Sequence, residues 1–210
     1  MQRQLAAFGI AAAGALLGWA ALAVQLALLI RRVEAQGGTL AGAVWEFAGY
    51  FTIWSNIVAA SLFSWAVFRR DRPEPNLRME LAAAVSMAMV GIIYSAVLRA
   101  LWHPQGVQKM VDASLHDIMP VLSVAFFLLR ANARPIWKDS VYALIFPLIY
   151  CVYACTRGAF DGWYAYPFLD AGKLGAVHLI LNIAGLALAF WVMALVLTGL
   201  AGLINKRTLP

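Results

Sequence analysis

Two residues of this chain, Thr52 and His116, have the types needed for a nucleophile and its base. A threonine hydroxyl is too weakly acidic to attack an ester unaided, and an imidazole within hydrogen-bond reach removes that obstacle. Attack creates an oxyanion, which needs hydrogen-bond donors. Asn56, one turn after Thr52, is a candidate donor, as are His178 and Asn182, which are four apart. Asp112 stands one turn before His116, where a carboxylate can orient the second ring nitrogen. Other polar residues fall on stripes of helical spacing: Thr52, Ser55 and Asn56; Ser95, Arg99, Trp102 and His103; Tyr150, Tyr153 and Arg157. An aromatic stretch, Gly158 to Gly172, contains Tyr166 and is placed to cap a cavity between these helix ends.

Each piece also has a plainer use. A Thr or Ser inside a membrane helix commonly bonds the carbonyl four residues back. Trp102 and the tyrosines suit an interfacial belt. Arg99 and Arg157 can snorkel to lipid phosphates. Cys151 and Cys155 sit one turn apart in an apolar run and read as small packing residues. Neither a metal-ligand pattern nor a phosphate-binding glycine loop occurs, so the sequence implies no metal and no cofactor for this chemistry.

The elements that must hold these residues follow from composition. Of 210 residues, 63% are hydrophobic and 12% charged, against roughly 25% charged in a soluble domain. Mean hydropathy is +0.78. Such a chain cannot solvate a globule, so it is read as a polytopic integral membrane protein of the all-α class. A bilayer core takes roughly 20 helical residues. Apolar runs predict six transmembrane helices in one bundle, at about 5–30, 47–68, 81–101, 115–129, 140–156 and 174–204. The first run continues past the small residues Ala21-Leu22-Ala23 to Ile30, which favours a span over a cleaved leader. The net charge of +6 is assigned to loop bias and anionic lipid, not to nucleic acid.

Six spans return both ends to one side. That side carries ten Lys and Arg against six on the other, and four acids against six. The positive-inside rule then puts both termini in the cytoplasm. The short charged turn Arg69-Arg70-Asp71-Arg72-Pro73-Glu74-Pro75 reads as a cytoplasmic stop signal. All three histidines and the polar stripes gather at the opposite, outer ends of the helices. Paying for polar side chains inside a bilayer implies a use for them.

Gly49-Tyr50-Phe51-Thr52-Ile53-Trp54-Ser55-Asn56 resembles the Tyr-x-Thr segment of the androgen-induced family of six-helix membrane threonine hydrolases. Leu115-His116-Asp117-Ile118-Met119-Pro120 resembles that family's second signature, a His followed four residues later by Pro. The segments Leu98 to Pro104 and Arg157 to Asp170 are similar to segments of its bacterial members, which often show Tyr-Pro-Tyr-Pro-Phe; here Ala165 replaces the first Pro. The likeness runs from the second helix to the sixth. It implies hydrolysis of fatty acid esters of hydroxy fatty acids, drawn from the bilayer, in a bacterial inner membrane. Carried over by motif, Thr52 and His116 are the essential pair. The substrate's free carboxylate would suit Arg99 or Arg157.

Two other classes compete. A haem held by His116 and His178 would make an electron-transfer protein; His103, before Pro104, lies in a loop. A lipid-binding or transport protein would keep the cavity without the chemistry, although no broken helices or inverted repeats are visible. Oligomeric state is not encoded in any recognisable pattern.

Overall fold

The first helix, α1 (Gln2–Ala35), turns a stripe of small residues inward: Ala7, Ala11, Gly14, Gly18 and Ala21 are buried. Small side chains let backbones approach closely where lipid supplies no hydrophobic driving force. α1 packs on α3 (Phe51–Phe68) and α6 (Met119–Arg130), with Phe63 and Met119 filling the space beside Gly14 and Gly18. A computed structural model describes residues 2–68, 77–130 and 136–206. The charged turn at 69–75, Arg134 and Arg207 lie outside the described residues, as does the side chain of Lys206.

Six helices are long and apolar enough to cross a membrane: Gln2–Ala35, Phe51–Phe68, Leu77–Leu98, Gly106–Arg130, Trp137–Asp161 and Ala171–Ile204. Every regular element among the described residues is helical. The chain is an all-α integral membrane protein.

The boundaries differ from the sequence expectation in ways that matter to the site. Phe47 does not open the second span but closes a short helix, α2 (Leu40–Phe47), capped by the Thr39 hydroxyl on the Gly42 amide at 3.1 Å. The third span is α4 (Leu77–Ile93) followed by a π-helical turn, Tyr94–Leu98. The fourth starts at Gly106, not 115, because α5 (Gly106–Ala113) runs through a second π-turn, Ser114–Ile118, into α6. Its polar residues Gln108, Lys109 and Asp112 hide that extension from a hydropathy reading. The fifth opens with a 3₁₀ stretch, Trp137–Leu144, before α7 (Ile145–Asp161), so Arg157 is helical. α8 (Ala171–Lys206) carries a kink at Gly175 and is the least buried span.

Candidate active site

Thr52 is the second residue of α3, whereas His116 lies ten residues into its own span, about 15 Å at 1.5 Å per residue. They nevertheless meet, with Thr52 Oγ1 3.3 Å from His116 Nε2. The chain before α3 makes this possible. Ala48, Gly49 and Tyr50 form a turn whose Gly49 is packed against the Arg157 guanidinium and the Trp163 ring, leaving no room for a Cβ. Arg157 is buried between the Trp45 and Trp163 rings, 4.5 and 4.4 Å from their centroids, and is paired with Asp161 at 3.2 Å. Trp45 Nε1 also donates to Asp161 at 2.7 Å. α2 and the start of α3 are thereby fastened to the end of α7.

Proline sets the opposing wall. Pro120 has no amide with which to close on the His116 carbonyl, so the regular ladder is interrupted there. The helix widens instead, and the Met119 amide reaches back five residues to the Ser114 carbonyl. Gly91 of α4 receives this turn: a Cβ there would stand 3.2 Å from the His116 carbonyl oxygen and 3.2 Å from Pro120 Cβ. π-turns of this kind concentrate at functional sites.

The partners of the imidazole fix its tautomer. His116 Nδ1 lies 3.0 Å from the Asp112 carbonyl oxygen and 3.3 Å from Asp112 Oδ1. A backbone carbonyl only accepts, so Nδ1 carries the ring proton and Nε2 turns its lone pair to the Thr52 hydroxyl. The other carboxylate oxygen of Asp112 accepts from the Tyr94 hydroxyl, and the Tyr94 ring stacks on the imidazole at 4.0 Å and 19°. Thr52, His116, Asp112 and Tyr94 thus form one hydrogen-bonded row. Thr52 and Asp112 are buried and His116 is half-buried.

Asn56 has a different job from the oxyanion donor expected of it. Its amide nitrogen donates to the Thr52 carbonyl at 2.9 Å and to the Leu115 carbonyl at 3.3 Å. Both protons are spent joining the turn of Thr52 to the turn that bears His116. Ser55 is buried with an unpartnered hydroxyl, and does not make the i−4 backbone bond that Ser64, Ser114 and Ser123 make.

Thr52 sits at the edge of an apolar cavity enclosing about 620 Å³ of empty space, its open mouth included. Val90, Leu148, Ile183 and Phe190 supply apolar wall from α4, α7 and α8, and Tyr94, Tyr150 and Tyr166 line it beside Thr52. Leu148 is itself exposed, so the wall runs out to the lipid-facing surface. The aromatic loop does reach this cavity, through Tyr166, Phe168 and Leu169.

The remaining expected site residues do not line it. Arg99 is exposed, paired with Asp117, and lies 5.0 Å from the Tyr94 ring. Arg157 is the buried clamp described above. Trp102 and His103 are exposed in the turn after α4. His178 is exposed on α8, its Nδ1 3.2 Å from the Leu174 carbonyl. Asn182 donates to the Phe168 carbonyl at 3.0 Å, tethering the aromatic loop. Tyr94 had no signal in the sequence, since its link to Asp112 joins two helices. No family model, no curated protein and no solved structure matches the chain.

Proposed function

We propose that the protein is an intramembrane lipid ester hydrolase, with Thr52 as nucleophile and His116 as general base. The observation that carries this reading is the Thr52 hydroxyl 3.3 Å from the Nε2 lone pair of an imidazole whose other nitrogen is anchored on Asp112. Thr52 Oγ1 passes its proton to Nε2 as its electron pair bonds to the ester carbonyl carbon, and the carbonyl π pair moves onto oxygen. Collapse of that adduct breaks the ester C–O bond, and the departing alkoxide takes the proton from Nε2. Water then attacks the acyl-threonine, giving a proton to Nε2; the second collapse returns that proton to Thr52 and releases the fatty acid.

The adjoining cavity is apolar and continuous with the lipid-facing surface, which suits a long acyl chain entering from the bilayer. Fatty acid esters of hydroxy fatty acids, the substrate class implied by the resemblance to the androgen-induced family, fit that shape. We place the protein in a bacterial inner membrane with both termini cytoplasmic and the site at the outer leaflet, on the ten-to-six division of basic residues.

The test is loss of hydrolysis in a folded protein. Thr52→Ala and His116→Ala should each remove turnover of a long-chain branched ester, and the double variant should be scarcely worse, because the two act as a unit. A fluorophosphonate should label wild type on Thr52. Robust hydrolysis by folded Thr52→Ala protein would refute the mechanism, and a bound lipid without turnover would favour a lipid-binding role.

A further inference from the structure

The three groups first expected to stabilise an oxyanion are all otherwise placed. Asn56 has spent its amide protons, His178 is exposed on α8, and Asn182 holds the aromatic loop. A tetrahedral adduct on Thr52 still needs donors, and the α3 start offers some. Phe51 and Thr52 occupy the first two positions of that helix, whose amides have no intrahelical carbonyl to bond. The next two amides, of Ile53 and Trp54, both close on the Tyr50 carbonyl, at 3.1 and 3.3 Å. An 18-residue helix also directs its positive dipole end at this point.

A second feature faces the same spot. Tyr166 is 8% exposed, and it lines the cavity together with Phe51 and Thr52, the first two residues of α3. Neighbouring tyrosines are committed elsewhere: Tyr150 donates to the Gly49 carbonyl at 2.8 Å, Tyr50 to Glu46 at 3.1 Å, and Tyr94 to Asp112. No carbonyl or carboxylate among the described residues takes the Tyr166 proton in a hydrogen bond. Phe168 stacks on the ring at 5.2 Å and 7°, and Tyr150 meets it edge-on at 6.3 Å, so the phenol is held in place. Thr52 and Tyr166 line the same cavity.

We infer that Tyr166 is a catalytic residue whose hydroxyl, with the backbone amides of Phe51 and Thr52, forms the oxyanion hole for an ester carbonyl attacked by Thr52. The inference rests on the hydrolase reading and names the part of the site which that reading left open. As Thr52 Oγ1 bonds to the carbonyl carbon and its proton passes to His116 Nε2, the negative charge collects on the former carbonyl oxygen. The Tyr166 O–H donates to that oxygen without losing its proton. Burial pushes the phenol's pKa up from its ordinary value, so it remains a donor across the working range of pH. The acyl chain then extends from the carbonyl along the apolar wall.

Tyr166→Phe keeps the ring, its stacking and its packing, and removes only the donor. Relative to wild type it should lower kcat by about 100-fold with KM little changed, the pattern of an interaction made in the transition state. Fluorophosphonate labelling of Thr52 should slow in step, since that adduct also places an oxyanion-like oxygen in the hole. The melting temperature in detergent should stay near that of wild type. A boronic acid carrying a long alkyl chain, which forms a tetrahedral adduct on the hydroxyl, should bind wild type far better than the variant. A Tyr166→Phe protein with wild-type kcat and labelling rate would overturn the assignment while leaving Thr52 and His116 intact. Equal losses in kcat and melting temperature, with boronate affinity unchanged, would overturn it in favour of packing. Wild type that neither hydrolyses esters nor labels on Thr52 would overturn the hydrolase reading, and this assignment with it.

Discussion

At the scale of single residues, the decisive geometry is at the far side of the imidazole from Thr52. An imidazole free to rotate or tautomerise would also present an N–H to the threonine hydroxyl, and an N–H cannot accept a proton. Asp112 removes that freedom through its carbonyl and one carboxylate oxygen, while Tyr94 occupies the other oxygen and covers the ring. Asp112→Asn keeps the shape but can point an amide N–H at Nδ1, which favours the wrong tautomer. Hydrolysis should then fall by on the order of 10²–10⁴-fold, as in triads that lose this carboxylate, with the labelling of Thr52 slowed to match. An Asp112→Asn variant as active as wild type would show that the backbone carbonyl alone sets the tautomer. Thr52, His116 and Asp112 were legible in the sequence because two of them share a helix at four-residue spacing and the third lies in a motif. Tyr94 and the meeting of Tyr166 and Thr52 in one cavity were not, since each joins segments far apart in the chain.

Elements explain why those residues meet. Hydropathy located all six spans but misjudged the ends, where polar side chains continue as helix: the fourth span starts at Gly106 and not at 115, and Phe47 closes α2 and does not open the next span. Neither π-turn has a periodicity that could be read, although Pro120 marks one of them indirectly. That proline yields a specific expectation. Pro120→Ala restores an amide four residues after His116, so the 114–118 turn can rewind as α-helix and swing His116 on its axis. The helix ladder gains a bond, so thermal stability in detergent should hold or rise. Hydrolysis should drop by on the order of 100-fold, as for an ångström-scale misplacement of a catalytic group. Activity that survived would mean that the neighbouring Gly91 packing, not the missing amide, shapes the turn.

On the scale of the whole molecule, the two ends of the bundle are built with different electrostatics. At the end bearing the termini, arginines strap helices together: Arg78 to Asp139 at 2.7 Å, Arg130 to Glu80 at 3.3 Å, and Arg3 to the Leu128 carbonyl at 2.7 Å. At the site end, Arg32 pairs with Glu46, Arg99 with Asp117, Arg157 with Asp161 and Lys173 with Asp170. Counted over the full chain, the basic and acidic residues of the site end cancel, and the whole net charge of +6 belongs to the other end. Counting Lys and Arg alone, ten belong to the end bearing the termini and six to the site end, and the end with the excess of Lys and Arg is retained in the cytoplasm. A fluorescent reporter that folds only in the cytoplasm should therefore be bright when fused after Pro210. A cysteine introduced at Gly172, exposed beside the aromatic loop, should react with a membrane-impermeant maleimide in intact spheroplasts. Native Cys151 is buried and Cys155 half-buried, so labelling of the parent chain sets a low background. A dark fusion together with a protected Gly172→Cys would invert the protein, turning the proposed ester site toward the cytoplasm and its lipids while leaving the proposal for Thr52 and His116 untouched.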